Sequence, residues 1–195
     1  MTTTPPDVWV AWQRVHHIDM PKTLLRIVRA DPERVWQLWT TASGLERWWS
    51  PDGYSTTVQH IDVVRGGSLR YTMTATGPEQ VAALQQHGMP LTTQSRKTFS
   101  DVHRPHRLAY TSLIDFVPGQ APYEQLTVVD LEPVDSGTRI QMTMEPMHDD
   151  EWTERLVAGR MNELDNLGRL IDANHESLTT GPPDAGARRT FTPPR

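Results

Sequence analysis

Residues 149–178, DDEWTERLVAGRMNELDNLGRLIDANHESL, decide the fold. The acidic side chains at the start of this stretch suit the positive end of a helix dipole. Apolar residues then recur on one face for about 28 residues, which predicts a helix on the order of 40 Å long. That face consists of Trp152, Leu156, Met161, Leu164, Leu167, Ile171 and Leu178. A helix of this length can cross an entire curved sheet.

The segment before this helix, residues 55–147, alternates apolar and polar side chains, with Gly and Pro between the alternating runs. A period of two predicts an antiparallel meander. The clearest apolar faces are Leu69, Tyr71 and Met73, then Leu108, Tyr110, Ser112, Ile114 and Phe116, then Ile140, Met142 and Met144. Strands are also predicted near residues 56–62, 93–103 and 124–132, although the adjacent Val128 and Val129 leave the register of the last one open.

Residues 22–49 predict a strand followed by two short helices. The apolar, β-branched run 22–29 leads into Asp31 and Pro32, an N-cap and a first helical residue. Residues 43–46 offer a capping box for a second helix through Trp48 and Trp49. Because neighbouring residues on a helix point about 100° apart, at most one of these tryptophans is expected squarely in the core. The other packs against the long helix or lines a cavity mouth.

Composition limits the possible functions. The chain has 195 residues, a net charge of -5 and no cysteine, which fits one domain without disulfides, thiolate metal sites or a cysteine nucleophile. The sequence shows neither a basic footprint nor a long apolar run, so we expect no nucleic-acid partner and no membrane partner. We also expect no cofactor and, because the sequence shows no secretory signal, a cytoplasmic location.

The two ends differ from the middle of the chain. Residues 1–20 are predicted to be an N-terminal extension, residues 21–178 the folded domain, and residues 179–195 a disordered tail. Residues 8–12, VWVAW, are too apolar for a free arm. They are predicted to pack on the sheet or on a second copy, as the contact of a homodimer.

The order of strand, two short helices, six-stranded meander and long helix resembles the helix-grip superfamily (SRPBCC), which includes START domains and birch-pollen-allergen-like proteins. Within it, the chain resembles the family named after the activator of the Hsp90 ATPase (AHSA-like). The resemblance is carried by residues 31–36 (DPERVW), 45–51 (LERWWSP), 66–73 (GGSLRYTM), 105–108 (PHRL), 137–140 (GTRI) and 147–153 (MHDDEWT). It implies an α+β fold in which a curved antiparallel sheet wraps around the long C-terminal helix. It also implies an elongated apolar cavity that holds a hydrophobic small molecule in many relatives.

The candidate cavity residues are aromatic, apolar or hydroxyl side chains on inward faces. They are Trp39, Trp48, Trp49, Leu69, Tyr71, Met73, Phe99, Tyr110, Ser112, Phe116, Met142, Met144, Met161 and Leu164. Thioethers adapt to varied ligand shapes, and the hydroxyls could orient a ligand, although both residue types are also ordinary core components. No metal site is predicted, since the eight histidines include no helical His-x-x-x-His pair.

Three functions remain open, because this superfamily contains carriers, receptors, cyclases and chaperone cofactors. They are binding of an apolar or aromatic small molecule, a polyketide-cyclase-like or hydrolase-like activity in the same cavity, and a chaperone ATPase-activator-like adaptor with a chaperone partner. Binding is preferred, because the sequence shows no dedicated catalytic motif. Asp115 and Glu124 could act as acid or base only if they enter the cavity, and alternation points Asp115 away from Tyr110 and Ser112. A buried carboxylate or imidazole facing the cavity would favour an enzyme, and an exposed apolar patch beyond its mouth would favour an adaptor.

A short helix is predicted inside the meander. Residues 78–87, PEQVAALQQH, begin with proline and precede Gly88 and Pro90, which are typical start and stop signals of a helix. A helix between two neighbouring strands lies at a sheet end or over an opening. Val81, Leu84 and Met89 are therefore predicted to form a lid over the cavity mouth. The alternative is a helix docked on the outside of the sheet.

Overall fold

The computed structural model describes residues 20–117 and 119–179. These residues form strands and helices in the order β1 (Lys22–Val28), α1 (Pro32–Thr40), α2 (Ala42–Leu45), β2 (Tyr54–Ile61), β3 (Ser68–Ala75), α3 (Pro78–Gln86), β4 (Thr92–His103), β5 (Arg107–Ile114), β6 (Tyr123–Val134), β7 (Gly137–Met144) and α4 (Asp150–Thr179). The predicted extension at residues 8–12 and the predicted tail beyond Thr179 lie outside the described residues.

The strands form one seven-stranded antiparallel sheet in the order β1-β7-β6-β5-β4-β3-β2. Strands β2 to β7 follow one another as a meander, while β1 pairs with β7, so that Lys22 lies opposite Met144. The sheet is curled into a half-barrel, with α4 as its C-terminal helix. The predicted α+β helix-grip fold is confirmed.

The inward faces of the sheet follow the predicted alternation, with one exception. Strand β6 buries Gln125, Thr127, Val129 and Leu131, which settles the register that the adjacent valines left open. The exception is Phe116, which was predicted to continue the inward face of β5. That strand ends at Ile114, and Phe116 lies beyond it with an exposed side chain packed on Trp152.

Helix α4 is held by its apolar face and by polar contacts on its flanks. The Asp149 carboxylate accepts the N–H of Trp152 at 2.8 Å, so the acidic start of the helix is a cap, as predicted. Asn162 Oδ1 accepts the N–H of Asp52 at 2.7 Å. The apolar contact is made by the buried side chains Leu164, Leu167 and Ile171. The bond to Asp52 fixes the helix relative to the loop that precedes β2.

The tryptophan pair departs from the prediction. Helix α2 ends at Leu45, so Trp48 and Trp49 lie in an irregular turn and not in a helix. Each is only 1% exposed, and the expectation that at most one would be in the core is wrong. The helix rule of about 100° between neighbours does not apply to a turn, which lets both indoles point inward. Trp48 Nε1 donates to the Leu38 carbonyl at 3.0 Å.

Candidate functional site

A pocket of about 410 Å³ lies between the concave face of the sheet and the first half of α4. This volume falls within the range of about 300 to 1,000 Å³ that small-molecule sites occupy. Its sheet wall includes Tyr71 and Met73 of β3, Lys97 of β4 and Ser112 of β5. Its helix wall consists of Arg155, Leu156, Gly159, Arg160 and Glu163.

The pocket opens where β4 and β5 separate. Their ladder ends at the pair Lys97 and Ser112, although β4 begins at Thr92 and β5 continues to Ile114. A second pocket of about 390 Å³ includes Asp115 in its lining and shares Tyr71, Ser95, Arg96 and Leu113 with the first. These ends of the two strands pair with β3 and β6 but not with each other, and they therefore mark an entrance to the pocket.

The inward positions of β4 and β6 change from apolar to polar toward this entrance, and those of β5 do so before the strand ends at the apolar Ile114. On β4, the buried Phe99 is followed toward the pocket by the buried Lys97. On β5, the buried Tyr110 is likewise followed by the buried Ser112. Strand β6 shows the same change, since Val129 and Leu131 are followed at the pocket end by Thr127 and Gln125. The concave face is thus divided into an apolar core and a polar pocket wall.

Four of the fourteen predicted cavity residues line the pocket, namely Tyr71, Met73, Ser112 and Phe116. Nine others pack in the main core cluster and fill the space beside the pocket: Trp39, Trp48, Trp49, Leu69, Phe99, Tyr110, Met142, Met144 and Leu164. The three indoles meet edge to face, with ring centroids 4.7 to 5.8 Å apart. The predicted elongated cavity is therefore filled in part by its own side chains.

The structure does not place Met161 at the predicted cavity, because its side chain is 52% exposed and does not line the pocket. The inward face of α4 passes through Leu156, Arg160, Glu163 and Leu167, at spacings of four, three and four residues. Met161 is one position out of phase with that face. The prediction selected residues by hydrophobicity and therefore left out Arg160 and Glu163, two charged residues that point inward.

The three residues that were predicted to form a lid also lie away from the pocket. Helix α3 exists within one residue of its predicted bounds, but it buries none of its residues. Val81 and Leu84 are half-buried, Met89 is exposed, and none of the three lines the pocket. The tip of Gln80 is packed against Gly53, which places α3 beside the turn before β2. The pocket entrance lies instead at the gap between β4 and β5.

The polar end of the pocket is built around Lys97, which the sequence analysis did not select. Lys97 is 3% exposed, and its Nζ donates to Ser112 Oγ at 2.6 Å. The same ammonium lies 4.7 Å from the ring centroid of Tyr110 and 5.5 Å from that of Trp49. Aromatic faces attract a cation at such distances, so the site partly compensates for the loss of water.

Arg160 and Glu163 complete the polar end. Arg160 Nη1 donates to Glu163 Oε2, and the Glu163 side chain is almost fully buried. The Arg160 guanidinium also lies 4.8 Å from the ring centroid of Trp49, so Trp49 contacts both Arg160 and Lys97. Two cations and one carboxylate therefore meet at the closed end of the pocket.

Burial changes the acid–base behaviour of these groups. Desolvation lowers the pKa of Lys97 well below its ordinary value, and the nearby Arg160 cation lowers it further, against an opposing effect of Glu163. Burial raises the pKa of the Tyr110 phenol, because the phenolate would lose its hydration. Desolvation opposes the charge of Arg160, but the charge of Glu163 and its hydrogen bond outweigh it and raise the Arg160 pKa.

A further polar atom beside this cluster is buried and unpaired. In the described part of the chain, the Trp49 indole N–H has no hydrogen-bond partner. Buried polar groups are nearly always paired in folded proteins. Titratable groups with perturbed pKa values in a pocket are typical of functional sites.

Other candidate chemistries do not converge on this pocket. Asp115 and Glu124, the predicted acid–base candidates, are exposed and absent from its lining. Among residues 20–117 and 119–179, no group of three His, Asp or Glu side chains is placed to hold a metal ion. Over the same residues, no helix has the length and apolarity needed to span a membrane.

A half-barrel sheet that holds a long C-terminal helix defines a protein of the helix-grip (SRPBCC) class, whose members commonly bind ligands or act as cyclase-like domains. The chain belongs to the family described as activator of Hsp90 ATPase homolog 1-like protein, whose model matches residues 29–172. No curated protein matches the chain.

Solved structures support the same fold. A protein from Chromobacterium violaceum is 21% identical, with 78% of this chain and 97% of that chain covered and a TM-score of 0.63. An AHSA1-like protein from Aeromonas hydrophila is also 21% identical, with coverages of 80% and 94% and a TM-score of 0.63. A protein from Mycobacterium smegmatis is 22% identical, with coverages of 80% and 90% and a TM-score of 0.60. At these identities the likeness concerns the fold.

Proposed function

We propose that this protein binds a small molecule with an apolar or aromatic body in the pocket between the sheet and α4. The observation that carries the proposal is an open pocket with a divided lining. Ile114, Phe116, Met147 and Leu156 supply apolar walls, while the polar side chains gather around Lys97. An apolar surround with a few convergent polar groups is the usual composition of a ligand site.

The apolar walls supply only part of the binding free energy. Covering about 200 Å² of apolar surface contributes about 5 kcal/mol at 25 cal/mol per Å², before the cost of ordering the ligand. That value alone corresponds to an affinity weaker than about 0.1 mM. Tighter binding requires contacts to the polar end of the pocket.

The test uses N-phenylnaphthylamine, a neutral dye whose emission rises in apolar surroundings, and a variant that fills the pocket. Gly159 lines the pocket from α4, and a Cβ at this position would meet no atom within 4 Å. We expect saturable dye binding in the wild type and in Gly159→Ala. We expect binding at least about tenfold weaker in Gly159→Phe, whose ring would project into the pocket from α4.

Gly159→Ala is the matched control, since it changes the helix propensity without filling the pocket. Equal dye affinity in Gly159→Phe and Gly159→Ala would place the dye outside this pocket. A linear, non-saturating signal in the wild type, with apolar and aromatic competitors also without effect, would contradict the binding function.

One observation favours the hydrolase-like alternative. A lysine with a lowered pKa can serve as the base for a serine nucleophile, and Lys97 Nζ lies 2.6 Å from Ser112 Oγ within the pocket. In such an enzyme Ser112 would attack an ester carbonyl, its proton would pass to Lys97, and the alcohol would leave. Incubation with nitrophenyl esters of fatty acids would then add the acyl mass to Ser112 and release nitrophenol, and Ser112→Ala would abolish both. An unmodified Ser112 with no release above buffer would exclude this alternative.

A further inference from the structure

The charged side chains of the pocket lining are unevenly balanced. The lining contains the cations Arg96, Lys97, Arg155 and Arg160 and a single carboxylate, Glu163. Arg155 pairs with Glu151 outside the lining at 2.5 Å, and Arg160 pairs with Glu163. At the polar end of the pocket, Lys97 and Arg160 carry two positive charges and Glu163 carries one negative charge. One positive charge therefore remains when Lys97 is protonated.

Lys97 is the group that lacks an anionic partner. Among the described residues, it forms no ion pair, and Ser112 accepts its one hydrogen bond. An ammonium carries three donors, so two remain unused in a place from which water is largely excluded. A buried charge is costly unless it is paired and hydrogen-bonded, which makes this position suited to an incoming anion.

Arg160 adds the geometry that a carboxylate needs. Its planar guanidinium has five N–H donors, and the bond to Glu163 engages Nη1. Its Cζ lies 4.8 Å from the ring centroid of Trp49, and the bond to Glu163 does not engage the donors on Nε and Nη2. Hydrogen bonds between charged partners are shorter and stronger than neutral ones, and they suit a ligand oxygen placed between Arg160 and Lys97.

We propose that the ligand is an apolar monocarboxylic acid, held with its carboxylate between Lys97 and Arg160 and its body against Ile114, Met147 and Leu156. This inference rests on the proposed binding function and names its ligand class. A single negative charge matches the single positive charge left at the polar end. The exposed lining residues Phe116 and Arg155 cover the part of the ligand nearest to solvent.

Binding of such an acid is coupled to a proton. The groups that face Lys97 are the cation Arg160, the carboxylate Glu163 and the phenols of Tyr71 and Tyr110. A bound carboxylate acts in the same direction as Glu163 and raises the pKa of Lys97. Between the lowered pKa of the free protein and the pKa of the complex, each binding event therefore takes up as much as one proton.

The experiment compares decanoic acid with decanol, which share a chain and differ in charge, as competitors of N-phenylnaphthylamine. In the wild type we expect the acid to displace the dye at a concentration about tenfold or more below that of the alcohol. In Lys97→Met this preference should fall to about threefold or less. Lys22→Met is the matched control, because Lys22 is the other lysine of the chain and is exposed at the start of β1.

A second measurement needs no variant. Calorimetric titrations of the wild type in two buffers of different ionisation enthalpy report the protons taken up, from neutral pH to the ordinary lysine pKa of about 10.4. We expect uptake with decanoic acid and none with decanol. Equal affinities for acid and alcohol, or no proton uptake at any pH, would overturn the proposed ligand class while dye binding upholds the binding function. If the wild type binds neither dye nor acid nor alcohol saturably, the binding function itself is contradicted.

Discussion

Replacing Lys97 with methionine should make the protein more stable at neutral pH. Lys97 is buried without an anionic partner in the described part of the chain, and desolvation lowers its pKa. Each unit by which folding lowers this pKa costs about 1.4 kcal/mol of stability while the lysine is protonated in the unfolded chain. Methionine has a similar length and removes this cost, at the loss of about 1 kcal/mol for the hydrogen bond to Ser112. A gain results once the pKa is lowered by more than about one unit.

The advantage of the variant should shrink as the pH rises. Between the lowered pKa of folded Lys97 and its ordinary value of about 10.4, the unfolded chain binds more protons than the folded one. The stability of the wild type therefore increases with pH in this window, by at most about 1.4 kcal/mol per pH unit for one proton. Lys97→Met lacks this increase, and above the ordinary lysine pKa it should be the less stable protein because the hydrogen bond is missing.

Urea unfolding followed by far-ultraviolet circular dichroism measures this effect, since the midpoint reports stability when the slope m is shared. The quantity of interest is the difference between Lys97→Met and the wild type at each pH, because the tyrosines and arginines common to both cancel. Lys22→Met should show no such slope, since Lys22 is exposed. A difference between Lys97→Met and the wild type that stays constant from neutral to alkaline pH would refute a desolvated Lys97.

Four other substitutions test parts of the fold. Gly159→Ala should raise stability by about 0.5 to 1 kcal/mol, because alanine is the better helix former and its methyl meets open space; a lower melting temperature would contradict this. Gly137→Ala should lower the free energy of unfolding by more than about 1 kcal/mol, since φ of Gly137 is 133° and the new Cβ would lie 2.1 Å from the Val28 carbonyl oxygen. An unchanged denaturation midpoint would show that the turn before β7 relaxes to accept the methyl group. Trp48→Phe should lower the free energy of unfolding by about 1 kcal/mol more than Trp49→Phe does. Of these two indoles, only Trp48 has a paired N–H in the described part of the chain, which donates to the Leu38 carbonyl of α1. Equal losses in chemical denaturation would show that this hydrogen bond contributes nothing to stability.

The architecture was predictable because it depends on patterns that are local in sequence. Alternation along β5 marked Leu108, Tyr110 and Ile114 as inward before any partner strand was known. The apolar face after Asp149 likewise predicted one long helix, which ends within one residue of the predicted position. A sheet face and a helix face that are both apolar can be buried only against each other, so these two patterns together favour a helix held by a sheet.

The site was not predictable in the same way, because it depends on charges placed inside. Reading by hydrophobicity assigns charged residues to solvent, so it selected Met161 on α4 where the structure buries Arg160 and Glu163. One signal was present in the sequence, since Lys97 lies two residues before the inward Phe99 on an alternating strand. What alternation could not supply was the partner Ser112, fifteen residues away along the chain.

The cost of these buried charges supports a role in binding more than a role in folding. Replacing a buried ion pair with apolar side chains of similar volume is often neutral or stabilising in proteins. A domain that needed only stability could continue its apolar core through positions 97, 160 and 163, since the core already includes Phe99 on the same strand and Leu164 and Leu167 on the same helix. The unpaired lysine beside Arg160 and Glu163 instead gives up stability in the free protein and recovers it when an anion enters. The stability gain expected for Lys97→Met and the loss of acid preference in the same variant are therefore two measurements of one trade-off, and both are expected together.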